Sequence, residues 1–324
     1  MKTFYWLVKR EFWEHRGGFL WAPVITGGVF LLLNLMGIVT GEVMGGQHGF
    51  NAVLHMGDGS NIHLFDQTLN ADTMGRIGVG LDMVMYSATM IISVVFGFVA
   101  FFYCLGALYD DRRDRSLLFW KSLPISDTAT VLSKVVAAGI VAPLIALLVG
   151  VITGIVMLLM FAMALSLHGI GVWHLLVLAH PLQVIVNLVG SIPIYLLWAL
   201  PTIGWLLLCS AWARSKPFLW AVVLPVALGV AISWFHLLGT LSFHGNGYWS
   251  AICLRLLLSI FPGGWVSESI NGSSLSGDDL AGLNVLNLSH TYSTLASTNL
   301  WLGVAAGAAM IAAAIWFRRW RDDS

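Results

Sequence analysis

The chain has 324 residues, 58% of them hydrophobic and only 10% charged, where a soluble domain carries roughly 25% charged residues. That composition excludes an ordinary water-soluble protein. Sixteen bases balance sixteen acids, a balance that says little because the charges are segregated along the chain. Cys104, Cys209 and Cys253 all fall in apolar sequence, so they read as small apolar residues and not as a disulfide framework or a metal site.

Six apolar runs reach or approach the ~20 residues that cross a bilayer core: 19–41, 83–108, 136–165, 182–210, 217–238 and 300–317. Before the first, residues 1–18 are expected to form an interfacial helix. At helical spacing Phe4, Val8 and Phe12 stack with Tyr5, while Lys9, Arg10, Glu14 and Arg16 spread over the rest. Trp6, Leu7 and Trp13 blur that face, and a plain positive anchor for topology is the alternative. The segment is not expected to be a cleavable signal, because Lys9, Arg10 and Glu11 end the short apolar stretch 4–8 at once. Gly17-Gly18 permits a bend into the first span.

Fourteen of the sixteen Lys and Arg residues lie in 1–18, 109–134, 211–217 and 318–324, leaving Arg76 and Arg255 for everything else. The acids show no such bias. A Lys/Arg asymmetry with indifferent acids is the positive-inside pattern. It predicts cytoplasmic termini, six spans and a multi-pass protein of the cell membrane. Residues 42–82, 166–181 and 239–299 then become outer loops, rich in Gly, Ser, Asn and His. Within the last, 251–261 is apolar but too short to span and is stopped by Pro262-Gly263-Gly264. It is expected to be a short helix, either re-entrant or interfacial. No internal repeat is evident, and 1–324 reads as a single all-α transmembrane domain.

The loop 110–127 (DDRRDRSLLFWKSLPISD) is the most specific segment. It places Leu117, Leu118, Phe119, Trp120 and Leu123 between charges, which marks an interaction surface, since a solvated loop gains nothing from a bare Phe-Trp pair. A loop that dips its aromatics into headgroups is the plainer alternative. Pro124 ends the short helix, and Ser126 or Asp127 can cap the next.

Here the chain resembles the ABC-2-type transporter permeases. The residues that carry the likeness are Asp114, Ser116, Leu117, Leu123, Pro124, Ile125 and Ser126, with Lys134 soon after; Arg115-Ser116 stands where that family's usual Gly-Thr would be. The resemblance implies that 109–134 is a cytoplasmic coupling loop. Asp114, Arg115, Ser116, Leu117, Leu118, Phe119, Trp120, Leu123 and Pro124 would dock in a groove of an ATPase subunit. It implies a second permease copy, surrounding lipid, and no nucleic acid as partners. ATP and Mg²⁺ would sit on the ATPase, with no cofactor in this chain, and the setting would be a bacterial inner membrane.

Independent chemistry agrees. The six apolar cores contain no Asp, Glu, Lys or Arg, and of the histidines only His236 at one end. Ion-coupled carriers normally need such a group, so secondary transport is disfavoured, though carbonyls and hydroxyls can bind Na⁺. No G-x-x-x-x-G-K-[ST] is present to hold nucleotide phosphates, so ATP hydrolysis would belong to another subunit. The 275–279 stretch (LSGDD) only faintly echoes an ATPase signature. His48, His55 and His63, near Asp58, Asp66 and Asp72, lack metal-ligand spacing, which leaves an enzyme as the weaker alternative beside a non-transporting receptor or scaffold. Asn34, Tyr86, Asn187 and Tyr195 are isolated polar groups within spans and candidates for a substrate pathway, with helix packing as their commoner use. Such a lining suits an exported hydrophobic or amphipathic cargo.

Overall fold

A computed structural model describes residues 2–45, 53–55, 61–63, 71–113, 126–167, 176–177, 179–238, 248–266 and 287–320. In chain order these form α1 (Lys2–Glu14), α2 (Ala22–Gly45), a two-stranded antiparallel pair β1 (Val53–His55) and β2 (Asn61–His63), and α3 (Ala71–Arg113). Then come α4 (Asp127–Val136), α5 (Ala142–Leu167), α6 (Pro181–Gly190), α7 (Ile192–Trp212) and α8 (Leu224–Leu237). The short α9 (Arg255–Leu258) and α10 (Leu288–Ser293) precede α11 (Thr298–Trp320). Apart from the small β1–β2 pair, the described residues form a helical bundle.

Five helices are long and apolar enough to cross a membrane: Gly17–Val43, Gly78–Arg113, Asp127–Ala164, Pro181–Trp212 and Thr298–Trp320. They make the chain a multi-pass membrane protein. The stretch expected at 217–238 is also an apolar helix, but a shorter one, Leu219–Phe235. It follows a reversal at 213–216, where Lys216 takes φ +47 ahead of Pro217. Large apolar side chains such as Leu32, Leu33 and Met36 remain exposed on the outside of the bundle. Water would penalise that surface, and hydrocarbon does not.

Several helices are continuous through a π-helical turn. Gly17–Trp21 joins the first segment to α2, Ala137–Val141 joins α4 to α5, and Leu219–Val223 leads into α8. Ser126 caps α4 through its Oγ, which accepts from the Ala129 N–H at 3.2 Å, as the sequence predicts. The tightest helix pair is α7 with α11. A Cβ on Gly204 would lie 2.6 Å from the Gly307 carbonyl oxygen, and one on Gly307 would lie 2.7 Å from the backbone of Leu200. These glycines let the two backbones touch, which maximises dispersion where lipid offers no hydrophobic drive.

The C-terminal ends of α3, α7 and α11, the start of α4 and the whole of α1 gather at one end of the bundle, where the basic residues cluster. We call it the basic end.

Candidate functional site

Two constellations stand out, one at the basic end and one inside the bundle. At the basic end α1 buries Leu7 and Glu11, one turn apart, while Phe4, Tyr5, Trp6 and Trp13 face outward. The buried stripe is thus displaced from the aromatic one that periodicity suggests, because Glu11 has charged partners waiting in the bundle. Lys134, only 2% exposed, places Nζ 3.2 Å from Glu11 Oε1 and 3.3 Å from Asp111 Oδ2. Tyr103 donates its hydroxyl to Glu11 Oε2 at 2.9 Å, and Arg10 Nη2 donates to Oε1 at 2.8 Å. Arg318 then joins Asp111 at 3.4 Å to Asp127 at 3.1 Å. One network therefore links α1, α3, α4 and α11.

Burial alone would raise the Glu11 carboxyl, but the Lys134 and Arg10 charges with the Tyr103 hydrogen bond outweigh it and hold it below 4.5. Nearby, Arg112 donates to the carbonyls of Ser210 and Ala213, and Ser210 Oγ accepts from the Leu108 and Tyr109 N–H groups. These contacts clamp the end of α3 to the end of α7. Arg112 and Asp111 precede residues 114–125, and Asp127 and Lys134 follow them, so the chain on both sides of that stretch is fixed to the bundle. The expected docking residues Asp114, Arg115, Ser116, Leu117, Leu118, Phe119, Trp120, Leu123 and Pro124 lie outside the described residues.

The second constellation is a cavity of about 100 Å³ between α3, α5, α6, α7 and the turn at 260–266. Three of the four predicted pathway residues, Tyr86, Asn187 and Tyr195, line it. Asn187 Nδ2 donates to the Tyr86 hydroxyl at 3.2 Å, and the Tyr195 hydroxyl donates to the Ile260 carbonyl at 3.0 Å. Asn34 does not join them; it donates to its own helix at Phe30 O, 2.8 Å away. Sequence alone left helix packing and substrate contact open for these residues, and only their convergence sets Asn34 apart. Above Tyr86, Asp82 accepts from the His180 N–H at 2.9 Å, which ties the start of α6 to α3.

The turn at 260–266 closes one wall. Gly263 adopts φ +93, which only glycine takes at no cost. Phe261 packs so closely on Gly97 that a Cβ there would lie 2.4 Å from its ring; that contact allows no side chain at Gly97. Leu257, Ile260 and Trp265 are buried in the core. Just before this turn Arg255 stacks on the Trp198 ring, 3.3 Å from its centroid, and its carbonyl accepts from Thr202 at 3.1 Å. Trp198 is twelve residues from Ser210 along α7, or about 18 Å at 1.5 Å per residue. The sequence put Arg255 in the short apolar stretch 251–261 of an outer loop, with re-entrant and interfacial placements both open; the fold packs it against the middle of a spanning helix.

For metals, Glu11, Glu14 and His15 bring ligand atoms within 4.8 Å of one another. Glu11 is already compensated by Lys134 and Arg10, so the trio has little charge left for a cation. The Glu11–Lys134–Asp111 network was missed by sequence reasoning, which read these charges as topology signals and Lys134 as part of the family likeness, never as partners. An acid on the Leu7 face, and a lysine inside the apolar run 131–136, were the signals available.

No known protein family, curated protein or solved structure matches this chain.

Proposed function

We propose that the chain is the membrane-spanning permease of an ATP-driven exporter of the ABC-2 type, working with a separate ATPase subunit. The observation that carries this reading is the loop at 114–125. Its sequence presents Leu117, Leu118, Phe119 and Trp120 among charges, and its feet are locked by Asp111, Arg112, Asp127 and Lys134 to four helices. Flanks tied to the bundle by ion pairs on both sides support a segment that passes force to the helices. A loop that only touches headgroups has no need of that anchorage.

The finer architecture follows from the same reading. The chain reverses after α7 and must return for α11 to end at the basic end, so Leu219–Phe235 serves as a sixth, thin span. The basic end faces the cytoplasm, with both termini there, and α1 lies at the interface with Tyr5, Trp6 and Trp13 at headgroup level. The depth of Arg255 favours a re-entrant segment at 249–266 over one lying on the surface. The setting is a bacterial inner membrane. ATP and Mg²⁺ belong to the partner, and the chain performs no chemistry of its own. Two nucleotide sites closing head to tail require two permeases, a second copy or a relative, and two ATPases.

The test is the Phe119→Ala/Trp120→Ala double variant. Aromatic anchors at interface centres cost roughly 2 kcal/mol or more each on truncation. ATPase association and stimulated ATP turnover should therefore collapse while the membrane level stays near wild type. Unchanged association would reduce 110–127 to a membrane-surface loop and remove the main support for the transporter reading.

A further inference from the structure

The cavity is lined by eighteen residues, and among the described residues none of them is Asp, Glu, Lys, Arg or His. Its walls are apolar, from Phe96, Leu147, Ile192, Trp265 and Val266. The polar groups are mostly spent locally: Thr89 Oγ1 donates to Met85 O and Ser191 Oγ to Leu188 O. The pair Tyr86–Asn187 is different. Asn187 donates to the tyrosine oxygen, which leaves the Tyr86 hydroxyl proton and the Asn187 Oδ1 without a hydrogen-bond partner among the described residues. A donor and an acceptor thus stand side by side, on groups 3.2 Å apart.

Such a pair complements one functional group well: an uncharged group that accepts and donates at neighbouring atoms, as a carboxamide does. Tyr86 O–H would donate to its carbonyl oxygen, and Asn187 Oδ1 would accept from its N–H. A carboxylate would find no cation and face the Asn187 oxygen. An ammonium or amidinium would find no anion in the lining, and Asp82, one turn along α3 from Tyr86, is already held by the His180 N–H. Both charged forms also suffer the desolvation penalty of an apolar cavity, which is far smaller for the neutral form and offset by its two hydrogen bonds. By helix rise the pair sits about 12 Å from Gly78 along α3 and about 9 Å from Pro181 along α6, inside the bundle and away from the basic end. A cavity of about 100 Å³ is somewhat smaller than the 150 Å³ apolar cavity known to take benzene. A single ring with a small head fits if the turn at 260–266 yields slightly.

We infer that this cavity within one subunit is a binding site for a small neutral amphiphile, with an aromatic or aliphatic body and a carboxamide-like head held by Tyr86 and Asn187. As the cargo site of an exporter it rests on the function proposed above; as a binding site it does not.

The experiment uses the full-length chain in nanodiscs, without any ATPase. Three probes share one shape and differ in head charge: 4-fluorobenzamide, 4-fluorobenzoate and 4-fluorobenzamidine. Fluorine NMR titration reads binding, with empty nanodiscs subtracted for partition into lipid. The amide should bind at least fivefold more tightly than either charged probe. Asn187→Leu and Tyr86→Phe should each weaken it at least fivefold, while Asn34→Leu leaves it unchanged. Tyr86→Phe keeps the ring and removes only the oxygen, so it reports on the site even where Asn187→Leu disturbs folding. Equal binding of the three probes, binding of none, or an amide affinity unmoved by Tyr86→Phe would overturn the inference. Selective amide binding in a chain that recruits no ATPase would instead leave the site standing and sink the exporter.

Discussion

Replacing Lys134 by methionine removes the cation shared by Glu11 and Asp111 while keeping most of the lysine stem's volume. Breaking a buried pair from one side costs about 3–5 kcal/mol, because the remaining charge is stranded. Asp111 keeps Arg318, and Glu11, fully buried, keeps Arg10 at 2.8 Å and the Tyr103 hydroxyl at 2.9 Å. The lower end, about 3 kcal/mol, therefore applies. That corresponds to about a hundredfold in an equilibrium constant. The loss should fall on the docking of α1, since its Glu11 is the group left most exposed to the change. Hydrogen exchange of the α1 amides in nanodiscs should accelerate about a hundredfold, with the centres of α3 and α7 unaffected. The Glu11→Leu/Lys134→Met double variant, combined with Tyr103→Phe so that no buried hydroxyl is stranded, should regain protection to within about tenfold of wild type, because exchanging both partners for apolar groups is near neutral. Unchanged exchange in the single variant, or a combined variant worse than the single, would refute the view that this pair docks α1.

Acidification should loosen the same helix: Glu11 is depressed below its ordinary 4.5, so its contribution is present above 4.5 and lost as pH falls through the lower folded value. Exchange corrected for intrinsic rate should show α1 protected at pH 6 and released well below pH 4.5, and Glu11→Gln should flatten that dependence. Tyr103→Phe should weaken α1 docking by about 2 kcal/mol through a lost hydrogen bond to a buried carboxylate, read in the same exchange experiment. Gly307→Val should push α11 off the backbone at Leu200 and lower the thermal stability of the detergent-solubilised protein by about 1–3 kcal/mol. Gly28→Ala, with open space around it, should be silent in that assay.

The apolar helices were legible because a 20-residue apolar run has few other uses, and five observed helices cover the predicted cores to within a residue or two. The exception is Leu219–Phe235, where a run long enough on paper yields a shorter apolar helix after a tight reversal. The cap at Ser126 was legible because its chemistry is local. What was not legible depends on tertiary meeting points. Glu11, Asp111, Lys134 and Arg318 lie as far as 307 residues apart, and nothing in their spacing says they share one network. For Arg255 the short apolar run left re-entrant and interfacial placements open; the packing of that run on α7 could be seen only in the fold. Tyr86, Asn187 and Tyr195 were visible as polar residues in apolar helices, but their convergence, and the exclusion of Asn34, needed the helices' rotations.

The central claim is that this chain works as one half of a permease driven by a separate ATPase. Native mass measurement of the complex extracted gently from its own membrane tests it most directly. Two permease copies, or one with a related permease, should be found bound to two ATP-binding subunits, with those subunits lost from the Phe119→Ala/Trp120→Ala variant. A chain that extracts as a stable lone monomer, or whose partners carry no ATP-binding subunit and ignore that substitution, would contradict it.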